Sequence, residues 1–68
     1  MPDITKRQQE VLDAIARLLE MYGYPPSVAE VASEIGTTTN GAYDHLRALR
    51  KAGKVDWEAR KARTLRIL

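Results

Sequence analysis

Three glycines divide this chain. Gly23, Gly36 and Gly53 each close a segment whose apolar residues recur at helical spacing. In the first segment Val11, Leu12, Ile15, Leu18, Leu19 and Tyr22 form one stripe, and Thr5-Lys6-Arg7-Gln8 before it fits a capping box. Gly23 can take the left-handed conformation that ends a helix, and Tyr24-Pro25-Pro26 cannot continue one. Ser27-Val28-Ala29-Glu30 is a second capping box, followed by a short amphipathic run of Val28, Val31, Ala32 and Ile35. Thr37-Thr38-Thr39 is a good helix entry, and a third helix is expected from about Thr39 to Ala52 with Ala42, Leu46 and Leu49 inward.

After Gly53 the period changes. Val55 and Trp57 alternate with Asp56 and Glu58, and Leu65 and Ile67 alternate with Thr64 and Arg66, as in half-buried strands. The polar link Ala59-Arg60-Lys61-Ala62-Arg63 has hairpin length but no Asn-Gly or Asp-Gly, which leaves the turn type open. The expected fold is mainly α with a small β-hairpin, built as one domain over residues 1–68. Trp57 is expected to cover the core beneath the hairpin.

Composition narrows the function. With no cysteine and one histidine, the 68 residues can form neither a disulfide nor a structural zinc set, so the core must come from side-chain packing. No nucleophile lies beside a base, no glycine-rich phosphate loop occurs and no metal spacing is present. An enzyme, a cofactor, a metal and a small-molecule ligand are therefore not expected. No apolar run approaches the roughly 20 residues of a membrane span, and MPDITKRQQE has no apolar signal core, so a cytoplasmic protein is expected. Residues 1–46 hold three Lys/Arg against seven Asp/Glu, a balance of −4, whereas residues 47–68 hold eight against two, a balance of +6. A basic C-terminal third suits a polyanion partner; a solvated face explains it equally well.

The stretch from Val28 to Val55 has helix-turn-helix spacing: a short helix to Gly36, a three-residue link, then a longer helix to Gly53. In that motif the second helix enters the major groove and reads bases with its first residues. With Ala42, Leu46 and Leu49 inward, the outward set is Thr38, Thr39, Asn40, Gly41, Tyr43, Asp44 and Arg47. Asn40 suits an adenine edge or a helix cap. Gly41 suits close backbone approach to DNA or a crowded helix crossing. Asp44 could accept from cytosine, but an acid there is more often an ion-pair partner or a negative selector. Arg47 reads as a phosphate contact, and His45 as a packed residue. Arg60, Lys61 and Arg63, at a hairpin tip beside a reading helix, would clamp phosphates.

The likeness to a known family is specific. Thr5, Arg7-Gln8-Gln9-Glu10-Val11, Ile15, Gly23-Tyr24-Pro25-Pro26-Ser27, Ala29-Glu30, Ala32 and Gly36 resemble the start of LexA repressors. Asn40, Ala42, His45-Leu46, Ala48-Leu49, Arg63 and Arg66-Ile67-Leu68 extend the likeness over nearly the whole chain. The resemblance implies a three-helix winged helix-turn-helix that binds double-stranded operator DNA in pairs and represses DNA-damage genes. It would place Thr38, Asn40, Gly41, Tyr43 and Asp44 at bases and the wing tip near Arg60 and Lys61 at the backbone or minor groove; Ser27 is also expected at the backbone. The link from Gly36 to Asn40 is one residue shorter than in the best-known members, and Tyr43 and Asp44 stand where the family often has other residues, so no operator sequence transfers. Family members continue into a self-cleaving domain with a serine–lysine pair that also holds the dimer. The 68 residues suit either an excised domain or a free-standing regulator. Without a heptad seam, a monomer that pairs on a two-fold site is expected. The rival reading is a winged helix that docks on proteins and has little DNA affinity.

Overall fold

The computed structural model describes residues 4–68; Asp3, counted in the acidic portion, lies outside them. Helix α1 spans Lys6–Tyr22, α2 Val28–Ile35 and α3 Thr39–Lys51, followed by strands β1 (Val55–Asp56) and β2 (Arg66–Ile67).

The ends of the helices follow from local hydrogen bonding. Thr5 Oγ1 accepts from the Gln8 N–H at 3.1 Å while the Thr5 N–H donates to Gln8 Oε1 at 2.9 Å. Ser27 and Glu30 repeat this reciprocal arrangement, at 3.1 and 2.8 Å. Each pair satisfies amides that the first helical turn leaves without partners. Gly36 closes α2 at φ +73°. There the Thr37 N–H donates to the Ala32 carbonyl and the Gly36 N–H to that of Ser33, a Schellman ending. The third helix ends one residue earlier than expected, with Ala52 as its C-cap.

The core lies between the three helices and under the hairpin. Val11, Ile15, Leu18, Val31, Leu46, Leu49, Val55 and Leu65 form one buried cluster. Ala14, Ala32 and Ala42 are also buried, and their small side chains let the helices approach. Arg7 ties two helices together: it donates to the Ile35 carbonyl at 2.9 Å while pairing with Glu10 at 2.7 Å. It thereby satisfies a carbonyl that α2 leaves without a partner at its C-terminal end.

The hairpin is shorter than the sequence alternation suggests. It pairs antiparallel, Val55 with Ile67 and Asp56 with Arg66, and the Leu68 N–H donates to the Lys54 carbonyl at 3.0 Å at its open end; toward the loop the pairing stops at Asp56. Beyond Asp56 the backbone groups bond to side chains, and of these the Glu58 N–H is the one that faces the next hydrogen-bonded position of the ladder. The Trp57 N–H donates to Asp56 Oδ1 at 2.8 Å, the Trp57 carbonyl accepts from Arg50, and the Glu58 N–H donates to Thr64 Oγ1 at 2.9 Å. Leu65 is buried as expected, but Ile67 sits at the rim and is 42% exposed.

Candidate nucleic-acid interface

The first turn of α3 is exposed and its cap is settled. Thr38 Oγ1 accepts from the Gly41 N–H at 3.1 Å, so the capping duty open to Asn40 in the sequence falls to Thr38. Thr39 and Asn40 face solvent, and Asn40 makes no side-chain hydrogen bond among the described residues. Gly41 is crowded, though not by a helix crossing. A Cβ there would stand 2.6 Å from Thr37 Oγ1 and 3.3 Å from Thr38 Oγ1, the residues of its own helix entry.

One turn further on, Tyr43, Asp44 and Arg47 form a group. Arg47 stands 3.4 Å from Asp44 with both side chains largely exposed, and its guanidinium lies 5.6 Å from the centre of the Tyr43 ring. Asp44 is thus an ion-pair partner in the free protein, one of the three roles open to it in the sequence. Tyr43 meets Trp57 edge-on, with ring centres 6.4 Å apart. Trp57 packs partly on the core, as expected, and its other surface faces outward. Arg50 stacks on that ring at 4.4 Å and pairs with Asp56 at 2.9 Å.

A groove of about 540 Å³ runs between α3 and the hairpin loop. Thr39, Tyr43 and Arg47 form one wall, Arg60, Lys61 and Arg63 the other, and Ser27 lines the groove at the start of α2. The Ser27 oxygen accepts the capping bond, which leaves its hydroxyl hydrogen available to donate. The fold thus brings together residues that lie up to 36 positions apart in the chain.

The loop, residues 57–65, is held at its neck by Thr64. This hydroxyl accepts from the Glu58 N–H and lies 3.3 and 3.1 Å from the Glu58 and Lys61 carbonyls. Nothing in the local sequence singles Thr64 out, because a threonine beside a strand is ordinary. Arg60 and Arg63 both adopt left-handed backbone, with φ 64° and 58°. Arg60 extends into solvent without an acidic partner among the described residues, and Lys61 lies 3.9 Å from Glu58. Arg63 instead folds back and pairs with Glu30 at 2.8 Å. Glu30 was legible in sequence as a capping residue and as part of the family likeness, but not as a contact of the wing.

Pairing distributes the charge unevenly. Arg50 and Arg66 share Asp56 within the basic third, and Arg63 is matched by Glu30 from the acidic portion. Among the described residues, Lys51, Lys54 and Arg60 of the basic third have no acidic partner. Arg47 and Lys61 have only long, exposed ones. Exposed pairs of this kind are weak and exchange readily for a phosphate.

Three helices with a helix-turn-helix, followed by a two-stranded hairpin whose loop flanks the third helix, define a winged helix-turn-helix. Comparison with known proteins agrees. Residues 1–64 match the LexA DNA binding domain family, and the chain belongs to it. It is 44% identical over 69 aligned residues to the LexA repressors of Paraburkholderia phytofirmans, Paraburkholderia xenovorans and Burkholderia cenocepacia. Each comparison covers 100% of this chain and 32% of the relative, so the chain spans about a third of the length of the curated relatives it matches. No helix among the described residues is long and apolar enough to cross a membrane.

Proposed function

We propose that residues 1–68 act as one sequence-specific double-stranded DNA-binding unit of a transcriptional repressor, with α3 in the major groove and the wing on the backbone. The observation that carries this reading is the groove in which the exposed start of α3 faces Arg60 and Lys61. Thr38, Thr39, Asn40, Gly41 and Tyr43 present small or polar groups to base edges. Arg47, with Asp44 as its partner in the free protein, reaches a phosphate, and Ser27 donates to another. The unit binds; it supplies no catalysis of its own.

Each phosphate neutralised by a cation releases condensed counterions, so affinity falls with salt with a logarithmic slope of about −0.9 per contact. With Arg47, Arg60 and Lys61 engaged, the slope per domain should be about −3. Replacing Arg60 and Lys61 together by Ala should make it shallower by about 2 on selected and random duplex alike. Binding isotherms at several salt concentrations measure this. Coincident slopes for the wild type and the double variant would remove the wing from the interface. A wild type that binds no duplex even at low salt would favour the protein-docking alternative.

Residues 1–68 by themselves are expected to be a monomer in solution that pairs on a two-fold site. Selection from a random duplex library should therefore enrich half-sites centred about one helical turn apart, or a multiple of it. Sedimentation that shows a tight dimer without DNA would contradict the pairing scheme.

A further inference from the structure

We propose that Arg63 is a positioning residue that pins the wing to the start of α2, and so sets the width of the groove, instead of contacting a phosphate. This rests on the DNA-binding reading above.

The anchor is built from several groups. One guanidinium nitrogen of Arg63 donates to Glu30 Oε1 at 2.8 Å and lies 3.4 Å from the Pro25 carbonyl; the other lies 3.4 Å from Glu30 Oε2. The guanidinium also sits 5.2 Å from the centre of the Tyr24 ring, which is stacked on Tyr22 with ring centres 5.3 Å apart. The planar fork of arginine suits this two-pronged, ring-backed arrangement, and a lysine would not reproduce it. Glu30 is fixed in turn, because its carboxylate accepts the Ser27 N–H at 2.8 Å. One carboxylate thus serves as helix cap and as wing receptor.

Two comparisons separate Arg63 from its neighbours. Among the described residues, it makes the only hydrogen bonds that join residues 58–64 to a part of the molecule outside the hairpin. Arg60 has the same left-handed backbone but no acidic partner, and so remains available for a phosphate. A cation held at 2.8 Å by a fixed carboxylate, unlike Arg47 and Lys61 with their longer pairs, has little net charge to offer DNA. What it offers is a wing held in place before binding, which spares the cost of ordering that loop on the duplex.

Three variants test the assignment. Arg63→Gly removes the anchor at a backbone position that glycine adopts without strain. Glu30→Gln keeps the capping bond, for which glutamine serves as well, but loses the charge facing Arg63. Arg60→Ala is the control for a phosphate contact. Affinity for a selected duplex is measured against salt, and backbone order parameters of residues 58–64 are measured in the free protein. Arg63→Gly and Glu30→Gln should each lower the order parameters and weaken specific binding about tenfold. The double variant should be no worse than either single one, and the salt slope should stay at the wild-type value. Arg60→Ala should make the slope shallower by about 0.9. The assignment is overturned if Arg63→Gly makes the slope shallower by that amount, if Glu30→Gln tightens binding by freeing a cation, or if the order parameters do not change. Should the wild type bind no duplex, the DNA-binding reading fails, and the order parameters alone decide whether Arg63 pins the wing.

Discussion

Asn40 stands in the first turn of α3 with its amide uncommitted, and Thr38 beside it carries the cap. A carboxamide at that place can donate to and accept from one adenine edge. Asn40→Ala should therefore cost about 1–3 kcal/mol on a selected site and leave binding to random duplex nearly unchanged. Competition binding with both duplexes measures the difference; equal losses would mean that Asn40 only supports the helix. The residues that carry the family likeness have mostly structural duties. Arg7 satisfies the end of α2, Gln8 completes the first cap, Pro26 is buried and Glu30 holds both a cap and the wing. Such residues identify the scaffold and carry little information on which bases it reads.

Helix α2 shows two roles meeting in one element. Ser27 caps it and lines the groove. Ser27→Ala should remove the cap and lower stability by about 1 kcal/mol. Ser27→Asp should keep the cap, since aspartate is as good an N-cap as serine, and should abolish most DNA affinity by setting a carboxylate against a phosphate. Thermal melts alongside binding isotherms separate the effects. Retained affinity in the Asp variant would place this end of α2 away from the backbone. In the hairpin, two-residue strands cannot hold a loop of nine residues by ladder bonds alone. The Thr64 staple and the Arg63 anchor supply what the ladder lacks.

For the molecule as a whole, two carboxylates link acid stability to the architecture. Glu30 is held below the usual glutamate range, first by the Ser27 N–H and then by Arg63, against partial burial acting the other way. Asp56 is held below the usual aspartate range chiefly by the Trp57 N–H and further by Arg50 and Arg66, again against burial. Each is easier to ionise in the folded than in the unfolded chain. Their contribution is therefore complete above the unfolded values of about 4 and is lost as pH falls through the lowered folded ones. Chemical denaturation should show stability constant near neutrality and declining below about pH 4. The decline should be shallower in Glu30→Gln and Asp56→Asn; an unchanged decline in both would assign acid sensitivity elsewhere.

Helix count, helix ends and the buried stripe were legible along the chain, because capping boxes, the αL turn at Gly23 and the spacing of Val11, Ile15, Leu18, Leu46 and Leu49 are properties of neighbours within one or two turns. The outward set from Thr38 to Arg47 was legible for the same reason, since an inward face defines an outward one. The fate of the charges was not. Arg47, Arg50, Arg60 and Arg63 look alike in sequence, yet one pairs loosely along its helix, one stacks on Trp57, one stands in solvent and one reaches Glu30 across 33 positions. The short ladder and the exposed rim at Ile67 were equally hidden, because a period of two records which face a residue prefers and not where pairing stops. Local sequence determined which segments coil and which side each buries; only the packed arrangement decided which of the cations stay free for a phosphate, because an ion pair depends on distance in space and not on separation along the chain.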